Sequence, residues 1–281
     1  MKILFVFCEG PHDAHFLGRL LRESGQYESY EQQIKDYPRP LGGFIAGKFR
    51  NSAVDEIRIG LPEKTLVPVC AYYNSSEQVI VLPIPIGGMD KTKQAIDLLH
   101  EIEQALHQNV LDVESSVIEA FGVLFLFDAD SRGLSKTISL FQERFQPHFQ
   151  NIPSNIHLNW LRLKGYPLSV FVFTDGQGEQ GTLEDTLVSL FRQKNSELVC
   201  AAETLFPTHF EDCAKGGDHI AHEAKKKKGI LTTCGQMEKK NAGYALTVVL
   251  RDSALLHNAF DFTDTNSEFS KLVNLINVAF V

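Results

Sequence analysis

The chain has 281 residues, 43% of them hydrophobic and 22% charged, with a formal net charge of −8 at pH 7. A chain of this length and balance buries a sizeable core, which excludes a disordered or fibrous protein. The acidic excess excludes a protein that coats nucleic acid without specificity, although a local basic groove can coexist with it.

Residues 2–8 are apolar without alternation, the pattern of a strand covered on both faces. Over 12–24, Phe16, Leu17, Leu20 and Leu21 recur at helical spacing, with Arg19 and Arg22 off that stripe. Pro38, Pro40, Gly42, Gly43, Gly47 and Gly60 punctuate 26–64 and predict loops and short elements. LVPVCAY (66–72) and QVIVLPI (78–84) predict strands whose prolines point to edges or strand ends. Asp90 is placed to cap a helix running to about residue 108, its apolar face made by Ile96, Leu98, Leu99, Ile102 and Leu106.

Strands are then predicted at 122–127, 158–163 and 168–173, and helices at about 134–146 and 182–193. This alternation favours an α/β fold with a parallel-containing sheet. Residues 196–281 read as mainly helical, with a lysine cluster at 225–228 and a last helix near 266–278. The expected organisation is an α/β core over 1–195 with a helical C-terminal part, 196–281, packed on it.

Five cysteines, Cys8, Cys70, Cys200, Cys213 and Cys234, are odd in number and scattered, which suits a reducing compartment. The apolar run in MKILFVFCEG is too short for a signal peptide, and no stretch approaches a membrane span. The expected location is the cytoplasm.

Two apolar runs stop on acids: FVFCEG at Glu9, and FGVLFLFDAD at Asp128 and Asp130. In an open α/β sheet, ligands bind outside the carboxyl ends of the strands. If 128–130 stays extended, Asp128 and Asp130 project to the same side. Asp13, four residues after Glu9, falls in the first turn of the next helix and can lean toward the same crevice. Two like charges about 5 Å apart repel by roughly 3 kcal/mol at an effective dielectric near 20. Gathered carboxylates therefore protonate or take up cations, and a few hard oxygen ligands with room for water and phosphate suit Mg²⁺. Taken singly, Asp13 is an ordinary first-turn acid and Asp-Ala-Asp an ordinary turn; the combination is what points to metal-dependent chemistry.

CEGPHDAHFLGRLL paired with LFLFDADSRG resembles the TOPRIM domain, and in particular the stand-alone TOPRIM proteins and the OLD-type (overcoming lysogenisation defect) nucleases. The resemblance covers about 1–195 and implies a TOPRIM-like (Rossmann-like), mostly parallel sheet flanked by helices, with a long insertion at about 26–120. It implies Mg²⁺- or Mn²⁺-dependent phosphodiester hydrolysis of DNA or RNA. Glu9, Asp13, Asp128 and Asp130 would be the catalytic and metal-binding acids. GTLEDTLVSL (181–190) resembles a further OLD-like feature, with Glu184 as an added metal ligand and Asp185 beside it. The family's late basic residue has no unique match among Lys225, Lys226, Lys227 and Lys228, which are candidates for phosphate contact. OLD-type nucleases also carry an ATPase, but no GxxxxGK[ST] loop occurs here, so an ATPase would be a separate chain. A role in phage defence or repair and a homo-oligomer are further expectations.

A haloacid-dehalogenase-like phosphatase is the alternative enzyme, with Asp128 as nucleophile, Asp130 as acid/base and Thr174 on phosphate; it leaves Glu9 idle. A non-catalytic partner subunit is the alternative from another class. None of the seven tyrosines is marked out as a topoisomerase nucleophile. Cys213, His219, His222 and Cys234 have ligand-capable side chains, but their spacing matches no standard zinc site. His12 and His15 read as helix surface, and DGQGEQG as a loop.

Overall fold

The computed structural model describes residues 1–50, 66–107, 118–176, 178–210, 219–237, 243 and 245–281. One sheet is built from β1 (Lys2–Cys8), β2 (Glu28–Ser29), β3 (Tyr72–Asn74), β4 (Val79–Pro85), β5 (Ala120–Asp128), β6 (Leu161–Leu163) and β7 (Tyr166–Phe173). Its order is β2-β3-β4-β1-β5-β7-β6. The central strands β4, β1, β5 and β7 are parallel. The edges are antiparallel, β2 with β3, β3 with β4, and β6 with β7. The fold is α/β, but the sheet is mixed where a mostly parallel one was expected. Tight turns are the reason at β3–β4 and β6–β7: they join only antiparallel neighbours. Lys164 and Gly165 between β6 and β7 both have positive φ (54° and 88°), the two-residue hairpin geometry.

Helices flank this sheet: α1 (Pro11–Glu23), α2 (Leu41–Arg50), α3 (Thr92–His107), α4 (Leu134–Phe145), α5 (Leu183–Lys194), α6 (Ser196–Phe210), α7 (His219–Gln236), α8 (Leu246–Asp252) and α9 (Glu268–Asn277). The unbroken apolar run of β1 is explained by burial on both faces. Leu4, Val6 and Cys8 join one core with α1 and α5–α9, while Ile3, Phe5 and Phe7 join another with α2, α3 and α4. The C-terminal helices thus close one face of the sheet. Trp160 fastens α9 there by donating its indole N–H to the Leu275 carbonyl at 2.8 Å.

Several expected elements differ in detail. The strand placed at 66–72 is instead the short β3, and the one placed at 158–163 shrinks to β6. The prolines of β4 mark its end and not a sheet edge: Pro85 closes the strand, while β1 lies on one side of it and β3 on the other. Pro83 and Pro85 fall beyond the β3 pairing, which ends at Tyr72 opposite Val81, so their missing N–H groups interrupt no ladder. Asp90 does not cap α3. It lies in a 3₁₀ turn, Met89–Lys91, and pairs with Arg144 at 2.8 Å. The glycine-punctuated 26–64 stretch holds α2; 51–65 lies outside the described residues, as do residue 108, Cys213 and the side chains of His219 and His222. Cys8, Cys70, Cys200 and Cys234 are free thiols. Among the described residues, no helix is long and apolar enough to cross a membrane.

Candidate functional site

β1 and β5 are parallel neighbours, yet the chain leaves them toward opposite faces, into α1 on one side and α4 on the other. Such a divergence opens a crevice at the carboxyl ends of the strands. Glu9 follows β1 directly. Its N–H donates to the Leu126 carbonyl, and its own carbonyl accepts from Gly87 and Gly88 at 2.9 and 2.8 Å. With the backbone sewn between β5 and the turn after β4, the Glu9 carboxylate reaches across to accept the Asp128 N–H at 3.2 Å. The two apolar runs therefore end at one place.

Asp128 closes β5 and accepts the Leu183 N–H at the start of α5, at 2.9 Å. Asp13 turns back from the first turn of α1 to accept the Gly10 N–H at 2.6 Å. Glu184, in the first turn of α5, is only 2% exposed. Lys228 arrives from α7 and pairs with it at 3.4 Å. Backbone donors, more than counter-charges, hold these acids in place.

Their electrostatics follow from that arrangement. Burial, then the Glu184 charge, push the Asp13 carboxyl up to about 7. Burial and the neighbouring Asp13, Glu184 and Glu9 hold Asp128 well above the ordinary carboxylate range. Burial also raises Glu9, against the Asp128 N–H that favours its charged form. Lys228 goes the other way: desolvation opposes its charge, but Glu184, Asp13 and Asp128 outweigh it and raise its pKa. Half-buried His12 is lowered by desolvation and by Lys228, so it faces the same cluster.

Asp130 behaves differently. Residues 128–130 do not stay extended, because Asp130 takes φ 50°. Its backbone makes a two-way bridge to Gly181, at 2.7 and 3.0 Å, and its carboxylate pairs with Arg132. It remains near enough for its charge to raise Glu9. Gly181 has φ 119°, and a Cβ there would lie 2.4 Å from the Asp175 nitrogen, so only glycine fits.

The lysine run is not uniform. Lys228 enters the cluster, Lys227 pairs with the capping residue Asp185, Lys226 is part-buried and Lys225 is exposed. Thr174, the phosphate holder of the phosphatase alternative, donates both its hydroxyl and its N–H to Glu268, at 2.6 and 3.0 Å. Cys234 is buried in the helical core. A cavity of about 580 Å³ lies beside α1, lined by His15, Arg22, Tyr30, Cys70 and Arg251 among others, and none of the clustered acids borders it.

The residues present suit a hard divalent cation: four carboxylates, all oxygen donors, with one ammonium among them. They form no closed chelate. Among the described residues, the trio that brings one ligand atom each within 4.8 Å of one another is instead His100, Glu103 and His148, a group that could hold a metal ion. Neither it nor the approach of Arg132 and His12 to the cluster was legible in the sequence, whereas Lys228 is one of the four lysines expected at phosphate, and the structure singles it out from its run. Arg132 two residues after Asp130 was the nearest signal.

No family model matches the chain, and no curated protein matches it. A solved structure, that of hypothetical protein PH0156 from Pyrococcus horikoshii OT3, is similar over 99% of this chain and 95% of that one, at 13% identity and a TM-score of 0.47.

Proposed function

We propose that the carboxylate cluster carries out Mg²⁺- or Mn²⁺-dependent hydrolysis of phosphodiester bonds in DNA or RNA, on a core of the TOPRIM type. One observation carries this reading. Glu9 and Asp13, Asp128, and Glu184 come from three separate chain segments and share one electrostatic site at the carboxyl ends of adjacent parallel strands. A purely structural site has no use for carboxylates whose charges oppose one another. A site for a phosphate-bound cation does.

Glu9, Asp128 and Asp130 would hold one ion, and Asp13 and Glu184 a second. When bound, such ions polarise the phosphodiester and lower the pKa of the attacking water. The chain's own groups supply the rest. The Glu9 carboxyl, raised by burial and pinned by the Asp128 N–H, is placed to take or deliver a proton. Lys228 sets a fixed positive charge beside Glu184, where a phosphate oxygen would sit. Lys225 and Lys226 are left for the strand's outer phosphates, a salt-sensitive contact.

Glu9→Gln and Asp130→Asn should each abolish Mg²⁺-dependent nicking of a supercoiled plasmid and cleavage of an RNA of similar size, with the circular dichroism spectrum unchanged. Cleavage at the parent rate by both variants would overturn the assignment.

A further inference from the structure

At the other end of the parallel strands, near the start of β7, two histidines and a glutamate meet. His100 and Glu103 lie one turn apart on α3, and His148 follows the end of α4. His148 Nδ1 is 3.4 Å from His100 Nε2, and His148 Nε2 is 3.0 Å from Glu103 Oε1. The first of these contacts is long for a hydrogen bond. The two contacts use different nitrogens of the His148 ring, of which an ion takes one; one ligand atom from each of the three residues lies within 4.8 Å of the other two.

The glutamate is oriented, as metal-ligating carboxylates are, by a hydrogen-bond donor outside the trio, Tyr166. The Tyr166 hydroxyl donates to Glu103 Oε1 at 2.7 Å, and Lys164 donates to Oε2 at 2.8 Å. The His148 side chain is fully buried, edge-on to Phe149 at 4.5 Å. The His100 side chain is 53% exposed and leaves one side of the group open to solvent.

The geometry points to a second divalent-metal site, separate from the carboxylate cluster, in which His100, Glu103 and His148 hold a zinc-class ion. Two imidazoles and one carboxylate select Zn²⁺, Co²⁺ or a similar first-row ion over Mg²⁺, which prefers oxygen and water. The cation at this group is at present the Lys164 ammonium, 3.4 Å from His148 Nε2 as well as 2.8 Å from Glu103. Lys164 stands on the β6–β7 turn with a part-exposed side chain, so it can swing to water when an ion takes its place. An ion bound there ties α3 to the chain leaving α4, and through Tyr166 to the first residue of β7.

Co²⁺ titration of the 281-residue chain, followed in the visible, tests this. Four-coordinate Co²⁺ with nitrogen ligands absorbs strongly, whereas oxygen-bound octahedral Co²⁺ at the carboxylates absorbs weakly. The parent protein should develop a strong band that saturates at one equivalent and is lost on adding Zn²⁺. His100→Ala, an exposed change that leaves the fold intact, should weaken binding by at least about tenfold. Lys164→Met should tighten it by about tenfold, because a like charge no longer has to be displaced. Glu9→Gln should leave the band unaltered. Absence of the strong band in the parent, its persistence at full affinity in His100→Ala, or weaker binding by Lys164→Met would each overturn the proposal.

Discussion

Replacing Asp13 with asparagine should stabilise the protein in EDTA and weaken its grip on Mg²⁺. Asparagine keeps the carbonyl oxygen that accepts the Gly10 N–H, so the start of α1 is preserved while one charge leaves the cluster. Asp13 is 7% exposed, and in the folded protein its carboxyl is pushed from 3.8 up to about 7. The unfolded chain then binds fewer protons than the folded one between those values, so this residue's contribution falls as pH rises from about 4 to about 7 and is level above. For the group taken alone, linkage gives a penalty on the order of 2 kcal/mol at pH 5 and 4 kcal/mol at pH 8. Asp13→Asn removes it, so the variant's advantage should grow by about 2–3 kcal/mol between those two pH values. Urea denaturation of both proteins in EDTA at pH 5 and pH 8 measures this directly. Saturating Mg²⁺ should shrink or reverse the advantage at pH 8, because the parent binds the ion better. A variant less stable than the parent by the same amount at both pH values would refute the reasoning, since Asp13 would then be only a helix-start residue.

Three other changes probe neighbouring links. Lys228→Met leaves nearly buried Glu184 without its cation and should lower stability in EDTA by about 1–2 kcal/mol, discounted because the lysine side chain is 42% exposed; Mg²⁺ should restore it, and denaturation midpoints with and without the ion would show this. Gly181→Ala puts a Cβ 2.4 Å from the Asp175 nitrogen at φ 119°. It should cost about 2 kcal/mol or more and, by shifting the bridge to Asp130, suppress cleavage; unchanged stability and unchanged nicking would count against that bridge. Phe125→Ala empties a position packed by Phe7 and Phe145, ring centroids 5.0 and 4.6 Å away. About 3–5 kcal/mol should be lost in denaturation, with no change in pH dependence.

The parts of the fold that were legible from sequence share one property: their residue pattern reports local burial. β1, β5 and β7 were visible because strands covered on both faces are apolar throughout, and α1, α4 and α5 because one face alone is apolar. β3 and β6 were misplaced because each has three residues, too few for a period to show. Asp90 looked like a helix cap by residue type, but a carboxylate 92% exposed was free to pair with Arg144 on another helix.

For the site, sequence alone determined which acids end which strands: Glu9 after β1, Asp128 at the end of β5, Asp13 and Glu184 in the first turns of the helices that follow. Those positions depend on neighbours within a few residues, which a linear pattern records. Only the tertiary structure decided that Glu9 reaches the Asp128 N–H, that Asp130 turns toward Arg132, and that Lys228 alone of its run enters the cluster. It alone joined His148 to His100 and Glu103. The physical reason is that charge–charge and ligand–ligand distances between segments are set by strand order and by which face each helix covers. Neither is written in the spacing of residues along the chain.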